Sequence, residues 1–442
     1  MRNDMQPHGN IRFVKSLTQD MPGAITLALL AGVVGLASGV VCALFHAALT
    51  LVVRVHDQVT AQAQASPWPM LLLLVGGSAL ATGIAASLVR RLAPAASGSG
   101  IPHVEAVLEG EMRPAKARLI PIKFVGGCLA IGSGLALGRE GPSVQMGAAI
   151  GNLVGHLSRR DLADRRALLA GGAGAGLATA FNAPGAGAVF VLEELVGRFD
   201  ARIVLVAIGS TVGAIFVSRW ILGGALDFPA PDFASGGSAA LPLFLVLGLV
   251  VGLASVIYNR CLLGTLRLME KVPGPAELRA AVIGGLAGLL AYVAPDMVGG
   301  GDDMVTRLIR ADVALTLIPM LFLVRLLFST LSYAADTPGG LFAPMLALGA
   351  LVGLGFGLIA APAFPGLGVP AGAYAVVAMG AFFAGSVRAP LTGIVLVTEM
   401  TGGSALILPL LSASFGAMLV TEMLGEPPVY AQLRERAARS ER

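Results

Sequence analysis

The sequence predicts an all-α protein that crosses a membrane many times and consists of two homologous halves with tilted and discontinuous helices. Of its 442 residues, 56% are hydrophobic and 13% are charged, and the mean hydropathy is +0.82. Soluble domains carry about 25% charged residues, and a soluble core cannot hide this much apolar surface. The 59 glycines fit the same class, because small residues let transmembrane helices pack closely.

Internal repeats are the second observation behind this fold class. Gly138–Pro142 matches Gly340–Pro344 at an offset of 202 residues, and Ala183–Gly187 matches Ala389–Gly393 at an offset of 206. The same two registers pair further glycines and one glutamate (Gly147 with Gly349, Gly151 with Gly353, Gly155 with Gly357, Gly174 with Gly380, Glu193 with Glu399). Because the blocks recur in the same order, we infer a duplication, and transporter sites commonly lie between such repeats.

The duplication divides the chain into five segments. We predict a cytoplasmic N-terminal segment (1–21), a first repeat half (22–200), a connecting helix and loop (201–239), a second repeat half (240–429) and a short cytoplasmic C-terminal tail (430–442). The first apolar run is too long for a signal peptide and predicts a long, tilted helix.

The apolar runs predict the helices in order. They cover roughly 22–55, 68–89, 119–137, 142–157, 167–181, 184–197, 202–224, 240–264, 278–295, 313–332, 341–361, 371–387, 389–400 and 404–424. Several are shorter than the roughly 20 residues that a span needs, and Gly or Pro interrupts them. Such half-helices are tolerated at membrane depth where they line a cavity, which is typical of transporter binding sites.

The stretch Gly138–Pro142 organises the chain. A Pro in the first turn and flanking glycines predict a helix N-terminus with uncovered amides inside the membrane, which is an anion site. Glu140 lies at its mouth, where it would occupy the anion's place when charged and vacate it when protonated. The helix N-terminus favours the charged form and removal from water disfavours it, so we expect proton exchange near neutral pH.

Ser99 opens another predicted helix, in Gly98–Pro102. It has the sequence context of an N-cap, and the alternative is that its hydroxyl donates to an anion. The offset of 202 places Gly301 opposite Ser99, so the second half lacks this hydroxyl and the site would be asymmetric.

Other charged residues lie in apolar surroundings, where each is a functional candidate. Glu193 aligns with Glu399 in the repeat, and we expect it to form hydrogen bonds between helices. Glu194 aligns with Met400, so the duplication does not explain it. It is either a proton entry point or a solvated interfacial carboxylate. Glu105 and Lys123 are candidates for an ion pair. Arg139 and Arg388 are expected to pack against backbone carbonyls.

Several classes of function are excluded or weakened by the residue pattern. The basic residues fall in short runs between apolar segments. This pattern is typical of loop charges that set the orientation of membrane helices and does not indicate nucleic-acid binding. The run 159–166 predicts a cytoplasmic loop. The three cysteines and five histidines show no metal-ligand spacing, and no clustered catalytic constellation indicates a membrane enzyme. We therefore expect no enzyme activity, no metal and no cofactor other than the transported ion.

Four motifs together resemble the anion-pore signatures of the CLC chloride channel and transporter family. They are Gly98–Pro102, Gly138–Pro142, Gly340–Pro344 and the late Tyr430, which physical reasoning alone would make an interfacial anchor. The resemblance covers about residues 20–435. Within the family, the sequence is similar to the prokaryotic H⁺/Cl⁻ exchanger branch. It implies an inverted repeat, a homodimer with one pore per subunit, and a multi-pass location in the cell inner membrane with both termini cytoplasmic.

The resemblance also implies residue roles. Ser99 and Tyr430 would donate hydroxyls to chloride, the amides of Leu341 and Phe342 would complete the cradle, and Arg139 and Gly141 join the chloride-binding set. Glu140 matches the gating glutamate and Glu194 the inner proton-transfer glutamate. Glu105 and Lys123 match a supporting buried pair. No regulatory CBS domain pair is expected after Tyr430.

These inferences predict a chloride/proton antiporter, with chloride, protons and membrane lipid as its partners. A passive, voltage- or pH-gated chloride channel of the same fold is the alternative. Glu140 does not discriminate between them, because gating needs it too, whereas Glu194 does.

Overall fold

A computed structural model describes residues 21–65, 67–198 and 200–440. Within these ranges the chain forms 17 α-helices and no β-strand, which confirms the all-α class. The helices are α1 Met21–Ala65, α2 Pro67–Leu92, α3 Ile101–Glu109, α4 Leu119–Gly132, α5 Glu140–Leu157, α6 Leu162–Phe181, α7 Pro184–Phe190, α8 Ala201–Leu222, α9 Leu241–Lys271, α10 Ala276–Val293, α11 Asp302–Ile309, α12 Ile318–Tyr333, α13 Phe342–Ala363, α14 Ala371–Val387, α15 Pro390–Thr401, α16 Ile407–Met423 and α17 Val429–Ser440. The predicted segment 1–21 lies outside the described residues except for its last residue.

The order of helices repeats. Helices α1–α8 are followed by α9–α16, and equivalent helices make equivalent contacts: α5 packs on α6 as α13 packs on α14, and α1 packs on α8 as α9 packs on α16. Helix α8 lies in the segment 201–239, which we predicted to be a connecting helix and loop. Because its contacts match those of α16, we assign it to the first half, which then ends near Leu222.

Eight of the described helices are long and apolar enough to cross a membrane. Helix α1 has 45 residues, which correspond to roughly 68 Å at 1.5 Å per residue. The hydrocarbon core is only about 30 Å thick, so a helix of this length crosses it at a tilt or extends beyond it. Helices α4, α14 and α15 are apolar but shorter, as the interrupted hydrophobic runs predicted.

The repeated glycines allow close helix packing in both halves. On α5 a Cβ at Gly147 or Gly151 would collide with a backbone carbonyl of α6, and on α13 Gly349 and Gly353 have the same relation to α14. Four-residue spacing places such glycines on one helix face, where they let two backbones touch. This close packing positions the N-termini of α5 and α13 in the protein interior.

The two halves meet through equivalent elements. Gly138 and Gly340 exchange backbone hydrogen bonds in an antiparallel bridge (Gly138 N to Gly340 O 2.9 Å; Gly340 N to Gly138 O 2.7 Å), immediately before α5 and α13. Helix α7 also contacts its counterpart α15. Contacts of this reciprocal kind are expected for two halves related by an approximate two-fold axis.

Two glutamates connect the halves in a reciprocal way. The Glu193 carboxylate accepts hydrogen bonds from the amides of Leu391 (2.9 Å) and Thr392 (2.6 Å) at the start of α15. The Glu399 carboxylate accepts from the amides of Gly185 (3.0 Å) and Ala186 (2.9 Å) at the start of α7. The predicted helix-to-helix role of Glu193 is confirmed.

The segment after residue 429 is a helix that packs on the protein body. Arg434 on α17 pairs with Glu109 at the end of α3, and Arg436 donates to Glu270 on α9 at 3.0 Å. Tyr430, in the first turn of α17, is fully buried. The reading of Tyr430 as an interfacial anchor is therefore wrong.

Candidate functional site

Glu140 binds the N-terminus of the opposite half's helix. Its Oε1 accepts hydrogen bonds from the amides of Phe342 (2.7 Å) and Ala343 (3.3 Å), the first residues of α13, while the residue itself begins α5. The side chain is fully buried, and Oε2 has no partner among the described residues. A carboxylate on helix N-terminal amides occupies the position that suits an anion.

The amide of Phe342 is held in place by aromatic packing. The Phe342 ring lies 4.5 Å from that of Phe383, 6.0 Å from those of Phe190 and Tyr430, and 6.2 Å from that of Phe181, measured between centroids. Leu341, the N-cap residue of α13, is fully buried as well. A helix start fixed in this way presents preorganised donors, which favours anion binding without reorganisation.

Two buried hydroxyls near the starts of α5 and α13 have no partner among the described residues: Ser99 lies against Gly141, and the Tyr430 ring packs near that of Phe342. Ser99 Oγ and Tyr430 Oη are both buried and form no hydrogen bond among the described residues. Ser99 is not an N-cap: the cap of α3 is Gly100, with φ of 84° and no side-chain hydrogen bond. Buried hydroxyls normally form hydrogen bonds. Two hydroxyls without a partner near helix N-termini are therefore candidates for donating hydrogen bonds to an anion.

Gly141 and Arg139 flank Glu140 with different surroundings. A Cβ at Gly141 would lie 2.6 Å from Ser99 Oγ, so only glycine lets the start of α5 approach the serine. The Arg139 guanidinium donates to Ala180 O (2.9 Å) and Asp227 (3.0 Å) and lies 3.6 Å from Asp302. The contact of the Arg139 side chain with a backbone carbonyl was predicted and is confirmed, and two carboxylates also bind this side chain.

The site lies between two cavities. The first, which we call the acidic cavity, has a volume of about 620 Å³ and contains Glu140, Arg139, Arg54, Asp57, Asp296, Asp302 and Asp303 in its wall. The second, the basic cavity, has a volume of about 910 Å³ and is lined by Gly98, Gly100, Tyr333, Arg113, Lys116, Arg118, Arg436, Glu111, Glu270 and Asp336. Glu140 borders the acidic cavity, and Gly98 and Gly100, the neighbours of Ser99, border the basic cavity.

Glu194 lies next to Glu105, although 89 residues separate them in the sequence. Their carboxyl groups are close enough to interact with each other, and Glu105 is buried with Oε1 unpaired among the described residues. Arg434 lies near both and pairs with Glu109 and Glu111 at the surface. Two carboxyl groups this close disfavour full ionisation, so the pair is suited to hold a proton.

The predicted pair of Glu105 with Lys123 is wrong for the described structure. Lys123 is fully buried, and its Nζ donates to the carbonyls of Ala96 (3.0 Å) and Gly98 (2.8 Å) in the loop before α3. Its repeat counterpart at the offset of 202 is Arg325, which donates to Gly300 O (2.8 Å) before α11. The physical reason is that each half uses a buried cation to satisfy loop carbonyls that helices cannot pair.

Sequence reasoning missed three residues around the site. Asp227 anchors Arg139, Tyr333 accepts a hydrogen bond from the Ser99 amide at 3.3 Å, and Tyr258 is fully buried with a hydroxyl that lacks a partner among the described residues. No motif contains them. The only available signal was a polar group within an apolar run, which applies to Tyr258 and Tyr333.

Comparisons with known proteins show what the chain is similar to. The family model described as voltage gated chloride channel matches residues 81–422. An H⁺/Cl⁻ exchange transporter, ClcA of Vibrio cholerae, is 40% identical over 417 residues, covering 92% of this chain and 89% of that protein. ClcA of Citrobacter koseri is 38% identical over 452 residues, covering 97% and 94%.

Solved structures give the same picture. The structure of a slow cyanobacterial Cl⁻/H⁺ antiporter superposes with a TM-score of 0.90 at 33% identity, covering 93% of this chain and 98% of that one. A CLC-type fluoride/proton antiporter superposes with a TM-score of 0.77 at 22% identity, covering 92% and 97%, which supports the fold alone.

Proposed function

The chain belongs to the voltage-gated chloride channel family, and from this premise we propose that it is a chloride/proton antiporter. The relatives above are named as transporters that exchange chloride for protons. Exchange of an anion for an oppositely moving proton transfers net charge, so transport responds to voltage by about 2.3 kcal/mol per charge per 100 mV. The fold thus serves transport rather than catalysis.

The contact between Glu140 and the Phe342 amide carries this proposal. In its charged form the carboxylate takes the anion's place on α13, and in its protonated form it leaves the amides to chloride. Chloride then binds among the amides of Leu341 and Phe342, the hydroxyls of Ser99 and Tyr430, and the backbone near Gly141 and Arg139. The Glu140 carboxyl group thereby couples the two ions, because it binds a proton when chloride occupies the amides and occupies the amides itself when it is charged.

The pair of Glu194 and Glu105 favours an exchanger over a passive channel. A carboxyl pair near surface acids, with Glu105 buried and Glu194 partly buried, offers a place for a proton on the side of the basic cavity. From there the proton crosses apolar space to Glu140, which requires intervening water. A channel would need no second protonatable group at this position.

Orientation and assembly follow from charge and apolar surface. Loops rich in Arg and Lys face the cytoplasm, so we assign the basic cavity and α17 to that side, with the protein in the cell inner membrane. Helix α8 exposes an apolar stripe at four-residue spacing (Ile208, Val212, Phe216, Trp220), and α16 exposes another (Leu408, Leu411, Phe415, Leu419). These stripes supply the surface of a homodimer.

Proton flux in proteoliposomes tests the function. A chloride gradient, with the membrane potential set by potassium and valinomycin, is expected to drive uphill proton movement in the wild type. Glu194→Gln is expected to lose proton movement and keep chloride flux, whereas Glu422→Gln, which alters an exposed carboxylate, retains both. Chloride flux without coupled protons in the wild type would identify a channel and demote Glu194 to an interfacial carboxylate.

A further inference from the structure

A chain of polar contacts connects Lys123 to a hydroxyl at the edge of the site. Lys123 Nζ donates to Gly98 O at 2.8 Å, and the amide of the next residue, Ser99, donates to the Tyr333 hydroxyl at 3.3 Å. Gly98 O and Ser99 N belong to one peptide group. The hydroxyl therefore accepts from an amide whose carbonyl is already bound to a cation.

The Tyr333 hydroxyl is held against this peptide by the backbone. A Cβ at Gly98, where φ is 58°, would lie 2.8 Å from Tyr333 Oη and 3.1 Å from Cζ, so only glycine permits the approach. The segment after Tyr333 is tied to the same loop, since Gly98 N donates to Thr337 O and Gly339 N donates to Gly98 O, both at 3.1 Å. The side chain has little freedom to leave.

The proton of this hydroxyl has no acceptor in the described part of the chain. Tyr333 Oη uses an oxygen lone pair for the Ser99 amide, and its O–H remains free to donate. The residue is 9% exposed and lines the basic cavity next to Gly98 and Gly100. Hydrogen-bond chains polarise each other, so an O–H at the end of a chain that begins on an ammonium group is a strengthened donor.

The internal repeat supplies a comparison. In the second half Arg325 binds Gly300 O at 2.8 Å, as Lys123 binds Gly98 O, so the cation and the loop are duplicated. At the offset of 202, however, Gly301 stands opposite Ser99, and Ile131 stands opposite Tyr333. The two hydroxyls are therefore present at the loop that borders the basic cavity, whereas the equivalent loop of the second half (299–301) borders the acidic cavity without them. This difference between the halves indicates a ligand role rather than a structural one.

We propose that Tyr333 is a further anion-binding residue, whose hydroxyl donates to chloride as it passes between the basic cavity and Ser99. This inference rests on the proposed transport function. It adds a donor to Ser99 and Tyr430, and the donor lies at the cavity end of the site. Because a hydrogen bond to an ion is strong only when the donor is preorganised, the fixed ring contributes affinity at this step.

The substitution Tyr333→Phe removes the hydroxyl and keeps the ring. In proteoliposomes, the chloride concentration that gives half-maximal exchange is expected to rise about tenfold, the low end for loss of a hydrogen bond to an ion. The ratio of protons to chloride is expected to stay unchanged, because Glu140 and Glu194 are intact. The matched control is Tyr374→Phe, a buried tyrosine packed between Phe244 and Phe356, which is expected to behave as wild type.

A second variant approaches the same contact from the other side. Gly98→Ala places a methyl group between the loop and the hydroxyl, and the same rise in half-maximal chloride is expected if the variant elutes as a folded protein. If Tyr333→Phe matches Tyr374→Phe, the inference is overturned. It is equally overturned if Tyr333→Phe transports faster at unchanged half-maximal chloride, because the hydroxyl would then obstruct the path rather than bind the anion. Absence of chloride-driven proton movement in the wild type would refute the proposed function instead.

Discussion

Replacing Glu140 by glutamine separates the charge of the side chain from its shape. The carboxylate accepts hydrogen bonds from Phe342 N at 2.7 Å and Ala343 N at 3.3 Å, and the amide oxygen of glutamine can accept the same two bonds. Hydrogen bonds to ions contribute about 1.5–3 kcal/mol and neutral ones about 0.5–1.5 kcal/mol. The tethered competitor is therefore weakened by about 1 kcal/mol per bond, or about 2 kcal/mol in total, which corresponds to roughly thirtyfold.

We expect Glu140→Gln to bind chloride roughly thirtyfold more tightly and to conduct chloride without protons and without dependence on pH. Isothermal titration of the detergent-solubilised protein with chloride measures the affinity, and proton uptake by proteoliposomes measures the coupling. Glu399→Gln is the matched control, because Glu399 also accepts hydrogen bonds from two backbone amides at a helix start but lines neither the acidic nor the basic cavity.

Three results would count against this reasoning. Uphill proton movement that persists in Glu140→Gln would show that another group carries the proton. Chloride affinity that is unchanged or lower than in the wild type would show that the carboxylate does not compete with the anion for the amides of α13. An equal loss of coupling in Glu399→Gln would assign the effect to helix packing rather than to the site.

Two further predictions concern the anion donors and the helix packing. The double substitution Ser99→Ala with Tyr430→Phe removes two unpartnered hydroxyls and is expected to weaken chloride binding at least about tenfold in calorimetry; unchanged affinity would remove both residues from the site. Gly147→Leu forces a side chain into the carbonyl of Gly172 and is expected to cost at least about 1–3 kcal/mol, seen as a lower unfolding temperature in detergent. Gly76→Ala, where a Cβ meets nothing within 4 Å, is expected to leave that temperature unchanged or to raise it slightly, because Ala favours the helix.

Much of the fold could be predicted because duplication leaves marks that survive in sequence. The offset of 202 aligned the starts of α5 and α13 and their packing glycines, and both alignments hold in three dimensions. Glu140 was identifiable because a carboxylate between apolar runs at a helix start has few structural explanations. The role of the Tyr430 hydroxyl needed the family resemblance, since a tyrosine after a membrane segment is commonly an interfacial anchor. For Ser99 the residues left an N-cap and an anion donor as alternatives.

The partners of individual charges could not be predicted. We predicted that Lys123 pairs with Glu105 because the two residues carry opposite charges and lie near the ends of the same segment. The Lys123 ammonium group instead binds loop carbonyls. The acid that lies near Glu105 is Glu194, which comes from a distant segment. Such contacts depend on how α3 and the turn after α7 meet in space. The pairing of Lys123 with Arg325 at the offset of 202 was visible in the sequence and would have indicated a structural cation in both halves.

The reciprocal bonds of Glu193 and Glu399 bear on how the chain enters the bilayer. Each carboxylate belongs to one half, and the amides that it binds belong to the other. During synthesis the first half emerges before α15 exists, so Glu193 must remain hydrated or protonated until the second half arrives. Neither half is then a complete folding unit, and maturation of the protein waits for the last membrane helices to be released from the ribosome.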